Sequence, residues 1–253
     1  MQVLTFLLCG KMAHFRRYYS NSSALTYSIP PRTTIAGILA GLLGYERDQY
    51  YGDFSLDECR IAVSNCSPLK KVVQKLNLLM IKKWDDMNGS QENHSQTATE
   101  LVLPQNIRNG HIMYRIYVTH NNKEIMEKLE QLLNSGGEWY QSKAISLGLG
   151  TAFCPGWVIY EGKLEGNDVS SQEPTDLHSV IPVRIIQSLD MEAAAERGYR
   201  LVKEDLPLEF DDQRRLTERG KGSMLINLNV SPVRATVKQY TKLSNGQNIV
   251  WMQ

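Results

Sequence analysis

An α+β fold is what this sequence predicts, on three observations. Strand-like apolar runs and helix-periodic runs alternate through the first 160 residues. Their order is strand, helix, strand, strand, helix, strand. A long polar stretch interrupts the middle of that order, and beyond residue 160 the pattern is β-like only. The order is the split βαβ arrangement of ferredoxin-like folds, here with an inserted hairpin and a smaller β-rich C-terminal region.

Each element has a local reason. Val3 to Cys9 is rich in Val, Leu and Phe and reads as a buried first strand. The connection from Gly10 to Pro31, full of Ser, Asn, Tyr and basic groups, has a length that often marks a binding loop. Pro30-Pro31 blocks helix, so the helix starts after it, with Thr33 or Thr34 as cap, a stripe of Ile35, Ile38, Leu39 and Leu42, and Gly44 as stop. Cys59 to Cys66 is the second strand, and the alternating His111 to Thr119 the third. Lys123 to Leu133 has helical period and ends at Ser135-Gly136-Gly137. Residues 144–160 supply a further strand region interrupted by Gly148-Leu149-Gly150.

The domain at 1–160 carries its insertion at about 67–110. The flanks of the insertion, Val72 to Lys83 and Glu100 to Leu103, read as a paired hairpin, and Asp85 to Thr99 as its polar tip. Residues 161–176 are acidic and irregular, a loop or linker. The region 177–253 holds β segments at Val180–Ser188, Arg200–Phe210, Met224–Val230 and Arg234–Lys242.

Composition narrows the function classes. Twenty-eight basic residues nearly balance 27 acidic ones, so a nucleic-acid partner must be argued from local clusters rather than net charge. Cys9, Cys59, Cys66 and Cys154 form no CxxC pair, which leaves neither a zinc cage nor a disulfide framework and suits a reducing cytoplasm. The five histidines lack metal-ligand spacing, and no Walker loop, dinucleotide fingerprint or nucleophile elbow is present. Neither a metal nor a cofactor is expected. The apolar run Ile35 to Leu43 falls far short of the ~20 residues of a membrane span, so a cytoplasmic protein with no membrane partner is expected.

One region carries chemistry. His14, Phe15, Arg16 and Arg17 put rings and cations side by side, and Arg32, Thr33 and Thr34 stand at a helix start. A phosphodiester strand needs cations, N–H donors and planar rings, and all three converge here. Ordinary threonine capping, and Phe15 tucked into the core, are the bland readings of the same residues. Tyr18, Tyr19 and Tyr27 add stacking surface or packing. Lys70, Lys71 and Lys75 (with Lys82 and Lys83) form a second basic cluster at the base of the insertion, either a solvated face or an RNA contact. Arg214, Arg215, Arg219 and Lys221 form a third, to which no role attaches.

The Ala-His-Phe-Arg segment at 13–16, the stretch Ser-x-Leu-Thr-Tyr-Ser-Ile-Pro-Pro-Arg-Thr-Thr-Ile-Ala-Gly-Ile-Leu at 23–39, and Ser146-Leu147-Gly148-Leu149-Gly150 together resemble the Cas-five family of CRISPR-associated proteins, most closely type I-B. The resemblance runs through residues 1–160. It implies a ferredoxin-like (RRM/RAMP) domain with a thumb, supplied by the 67–110 insertion. It also implies a non-catalytic subunit of a type I Cascade complex in antiviral defence, holding the 5′ handle of the crRNA and capping one end of the Cas-seven backbone. A Cas-eight large subunit and target DNA are the further partners it implies. Gly148 and Gly150 then resemble the glycine loop that lets RNA backbone approach, although glycines equally mark a bulge.

The type I-C branch of the family implies one enzymatic alternative, metal-independent cleavage of pre-crRNA by tyrosine, lysine and histidine. Tyr45, His111 and a nearby Lys or Arg are the assembly this sequence offers for base, acid and cation. An adjacent Lys-His pair ahead of the third strand is missing, which departs from that branch.

Overall fold

The computed structural model describes residues 1–20, 24–79, 84, 94–135 and 147–253. In chain order the first ten elements are β1 (Gln2–Gly10), β2 (Phe15–Arg16), β3 (Thr26–Tyr27), α1 (Arg32–Leu43), β4 (Cys59–Asn65), β5 (Leu69–Leu79), β6 (His94–Pro104), β7 (Ile112–His120), α2 (Lys123–Asn134) and β8 (Gly156–Val169). There follow β9 (Thr175–Leu177), β10 (Ile181–Pro182), β11 (Ile186–Leu189), α3 (Met191–Glu196), β12 (Leu201–Pro207), β13 (Lys221–Asn227), β14 (Val233–Val237), β15 (Tyr240–Leu243) and β16 (Asn248–Ile249).

β1 is apolar at nearly every position and buried on both faces, which only an interior strand with both faces covered achieves. It sits inside a six-stranded antiparallel sheet of order β16-β15-β8-β1-β7-β4. Leu4, Phe6 and Leu8 point to one face, where they share a core with Ile116 and Val118 of β7, Ile35 and Leu39 of α1, and Leu129 of α2. Each such side chain contributes about 1.5–3 kcal/mol by leaving water, so this layer dominates stability. Val3 points to the other face and packs with Ala62, Tyr117 and the C-terminal Leu243, Ile249 and Trp251.

Helix α1 begins two residues earlier than a Thr33 cap requires, and three earlier than a Thr34 cap. Pro31 occupies the N-cap position without a side-chain hydrogen bond, and Thr33 and Thr34 lie inside the first turn. Proline has no N–H to orphan, and its fixed φ feeds the chain into the helix. Gly44 ends the helix as expected, at φ 81°, with its N–H on the carbonyls of Ala40 and Gly41. Asn122 caps α2 by accepting from the Glu124 N–H.

Three boundaries differ from the sequence reading. Of the strand region expected at 144–160, residues 144–146 lie outside the described residues, 147–155 form turns and bends, and the strand starts at Gly156. β8 then runs 14 residues to Val169, through most of the segment read as an acidic linker. Its charged residues turn outward and meet partners on other elements, Glu161 with Arg115 of β7, Asp168 with Arg60 of β4, and Lys163 with Glu130 of α2. Gly162, at φ 123°, sits where the β1–β8 register shifts, the position of a bulge. Finally, residues 94–99 of the supposed polar tip belong to β6, which pairs with β5 without a slip from Leu69↔Pro104 to Leu79↔His94. The remainder of that tip, and Gly136-Gly137, lie outside the described residues.

The C-terminal region is not set apart. β10-β13-β12 and β11-β14-β9 form two small sheets, and β15 with β16 return to extend the main sheet beyond β8. Leu206, Met224 and Ile226 of β12 and β13 join the same core as β1 and α1.

Candidate nucleic-acid interface

The long connection after β1 is laid along β6. Ala13 exchanges both backbone hydrogen bonds with Val102, at 3.0 and 2.9 Å, and the Glu100 N–H donates to the Ala24 carbonyl at 2.9 Å. The Glu100 carboxylate accepts from the Thr26 N–H at 2.9 Å. β2 and β3 close the loop on itself through Phe15↔Tyr27 and Arg16↔Thr26. The alternation of residue types drives this: Phe15 and Tyr27 turn into the core while Arg16 stays in solvent.

Several residues assigned to RNA by sequence are thereby removed from its reach. Phe15 is buried edge-on against Tyr114, with ring centroids 6.0 Å apart, and Tyr27 is also buried, its phenol pushed up by desolvation. Neither ring has a face open to a base. His14 is buried too, and its Nδ1 lies 2.7 Å from the Glu100 carbonyl, to which it donates. Arg32 is 1% exposed. Its guanidinium donates to the carbonyls of Leu208 (2.8 Å), Ser55 (2.7 Å) and Cys59 (2.6 Å), so it staples α1 to two distant segments instead of meeting phosphate. Burial lowers its pKa. Thr33 and Thr34 are half-buried in the first turn, and the Thr34 N–H already donates to Pro31.

The glycines also have an internal explanation. Gly150 is at φ 95°, and a Cβ there would stand 2.0 Å from the His14 carbonyl oxygen. The backbone it admits is that of this chain's own loop, held by the His14 N–H on the Leu149 carbonyl at 3.0 Å. Gly148 bridges Pro155 in the same turn.

What faces solvent is a rim. Arg16 is exposed and donates to the Ser20 carbonyl at 3.0 Å. Tyr18 and Tyr19 are 40% and 52% exposed and meet edge to face, with centroids 5.2 Å apart. Arg17 stands behind them, donating to the Tyr19 hydroxyl at 2.9 Å and the Thr26 carbonyl at 3.3 Å, with its guanidinium 5.6 Å from the centre of the Tyr27 ring. Lys71 reaches the Thr26 carbonyl at 2.9 Å. Along β5, Lys71, Val73 and Lys75 share one face, and Val73 and Lys75 are exposed. Lys70, on the other face, donates to the Gln105 carbonyl at 3.1 Å. Lys82 and Lys83 lie outside the described residues.

Sequence reading missed Glu100 and Glu204, the acids that shape this basic loop. Glu204 is 7% exposed and accepts from the Ser28 N–H (2.8 Å), the Ser28 hydroxyl (2.9 Å) and Lys71 Nζ (2.6 Å), with Arg17 at 3.6 Å. Thr26 and Glu100 are 74 residues apart, and Ser28 and Glu204 176, so no local spacing points to either acid.

The catalytic assembly offered by sequence does not form. The Tyr45 hydroxyl donates to Asp53 at 2.6 Å, and its pKa is pushed up to about 12 by burial first and by that carboxylate second. Tyr45 packs on Phe54, which meets His120 at the end of β7. His111 lies ahead of the other end of β7, against Trp157. At ~3.3 Å per residue the strand puts roughly 30 Å between His111 and His120, and hence between His111 and the Tyr45 cluster. The third basic cluster is largely neutralised: Arg219 pairs with Asp57, Lys221 with Asp205 and Arg214 with Asp48.

Among the described residues, no group of three or more His, Cys, Asp or Glu is placed to hold a metal, and no helix is long and apolar enough to cross a membrane. A rim of tyrosines and cations on a strand-paired loop suits the faces and charge of unpaired nucleotides.

Three comparisons bear on this. The family model described as CRISPR-associated protein (Cas_Cas5) matches residues 3–134. The chain is similar to a CRISPR protein from Archaeoglobus fulgidus, 12% identical over 98% of this chain and 97% of that one, with a TM-score of 0.53, a likeness of fold. Weaker likenesses are to a chain of a CRISPR RNA-guided surveillance complex (15% identity, 91% of each chain, TM-score 0.41) and to one of a type III-B Cmr-beta complex bound to cognate target RNA (11% identity, 92% and 86%, TM-score 0.39). No curated protein matches the chain.

Proposed function

Because the chain belongs to the Cas-five family of CRISPR-associated proteins, we propose that it is a non-catalytic crRNA-binding subunit of a type I, I-B-like Cascade effector. In this reading it holds the crRNA 5′ handle and caps one end of the Cas-seven backbone, beside a Cas-eight large subunit and within reach of target DNA. The βαββαβ body, with its sheet order fourth-first-third-second, serves as the ferredoxin-like RAMP domain. The β5–β6 hairpin serves as its thumb.

One observation carries the reading. The basic-aromatic loop is hydrogen-bonded backbone to backbone with β6 at two points, Ala13–Val102 and Ala24–Glu100, so loop and hairpin form one surface with Tyr18, Tyr19, Arg16 and Lys75 in solvent. Stacking on aromatic side chains is worth ~1–3 kcal/mol per base and tolerates many sequences, while cations alongside add the salt-dependent part.

The test is incubation of the purified chain with labelled CRISPR repeat RNA in EDTA, reading retention and cleavage in one gel. Retention of uncut RNA is expected. Cut RNA would establish the ribonuclease alternative, and neither retention nor cleavage would contradict RNA binding by the isolated chain.

A further inference from the structure

From the contacts of its carboxylate, we propose that Glu204 is a specificity-determining residue that makes the N-terminal loop read bases rather than phosphates. This rests on the RNA-binding reading above and names how the same loop recognises its ligand.

Glu204 lies on β12, far along the chain, yet it stands where three segments converge: the loop at Ser28, the hairpin base at Lys71 and the C-terminal sheet on which it sits. Both of its oxygens are engaged, Oε1 with the Ser28 hydroxyl and Lys71, and Oε2 with the Ser28 N–H. Arg17 approaches Oε1 at 3.6 Å. Two cations therefore share one buried carboxylate, which leaves a single net positive charge where sequence composition offered two. Such a carboxylate competes directly with a phosphate for the same donors.

The consequence reaches the aromatic rim. With one edge of its guanidinium turned toward Glu204, Arg17 donates from the other to the Tyr19 hydroxyl at 2.9 Å. This orients the exposed Tyr18–Tyr19 pair, whose rings offer faces to unpaired bases. Arg17 is spent on holding Tyr19 and Lys71 on the Thr26 carbonyl and Glu204, so the loop grips a strand mainly through stacking, and few of its contacts are counterion-releasing phosphate contacts. Glu204 acts through Arg17 and Lys71 and touches no RNA itself.

The experiment compares the full chain with Glu204→Gln and Tyr19→Ala, using a single-stranded oligouridylate and an abasic strand of equal length, each titrated over a range of salt. Glutamine keeps an acceptor for Ser28 but removes the charge. The wild-type chain should prefer the base-bearing strand by about tenfold. In Glu204→Gln the slope of log K against log salt should steepen by about 0.7, one more phosphate contact, and the preference for bases should fall. Tyr19→Ala, at an exposed position, should abolish that preference and leave the slope unchanged. A wild-type slope and preference retained in Glu204→Gln, with a native melting transition, would overturn the proposal while the RNA reading stood. Should Glu204→Gln fail to fold, an undiminished base preference in Tyr19→Ala would overturn it. Binding of neither strand by the wild-type chain would overturn the RNA reading itself, and this inference with it.

Discussion

Arg32 shows how one side chain is claimed by the fold. Its three carbonyl acceptors sit on Ser55, Cys59 and Leu208, so the guanidinium closes a gap between α1, the start of β4 and the C-terminal region. Hydrogen bonds to a charged group are worth about 1.5–3 kcal/mol each, and their loss leaves buried carbonyls unpaired. Arg32→Met should therefore cost about 3 kcal/mol or more, read as a lower urea midpoint, and the folded fraction should bind RNA with an unchanged salt slope. A variant of native stability that loses RNA affinity would instead restore Arg32 as a phosphate ligand. The sequence placed Arg32 correctly at a helix start, and its partners, 23, 27 and 176 residues away, are what local reading has no access to.

Among the elements, those with a clear pattern were legible. β1 follows from its unbroken apolar run, and β4, β7, α1 and α2 from apolar alternation or helical spacing, because the surfaces they bury are continuous. β8 was half-hidden, since its outward residues are acidic and its bulge needs Gly162, a composition that also describes a linker. β9, α3 and β16 are too short to carry a period. Tyr18 and Tyr19 could be named from sequence, but only the pairing of their loop with β6 separates them from Phe15 and Tyr27, which point inward. That pairing has a measurable signature. In hydrogen exchange, the Ala13 and Val102 amides should be protected together and to a similar degree, as in a strand ladder. Ala13 exchanging at loop rates while Val102 stays protected would mean that the loop is not part of the hairpin unit.

For the molecule as a whole, the shared core joins the C-terminal strands to the βαββαβ body, and His178 sits at one seam. Its Nδ1 lies 3.2 Å from the Asn248 amide nitrogen and 3.3 Å from the Asn248 carbonyl oxygen, tying the end of β9 to β16. Burial lowers its pKa, an effect larger than the opposing pulls of the Asn248 backbone and then of Asp176. The unfolded chain therefore takes up this proton first, and the neutral folded form loses stability as pH falls below the ordinary histidine value of about 6.5. Replacing His178 with Asn should flatten the decline in melting temperature between about pH 7 and pH 5. An identical decline in the variant would assign the acid sensitivity to other groups.

The central claim is that a strand-paired loop near the amino end presents Tyr18 and Tyr19 to unpaired RNA bases. Photo-crosslinking of the full chain to 4-thiouridine-labelled repeat RNA, followed by peptide mapping, tests it most directly. Crosslinks are expected on the peptide carrying Tyr18 and Tyr19, and their loss in a Tyr18→Ala, Tyr19→Ala double variant. Efficient crosslinking confined to peptides outside residues 11–31 would contradict the account.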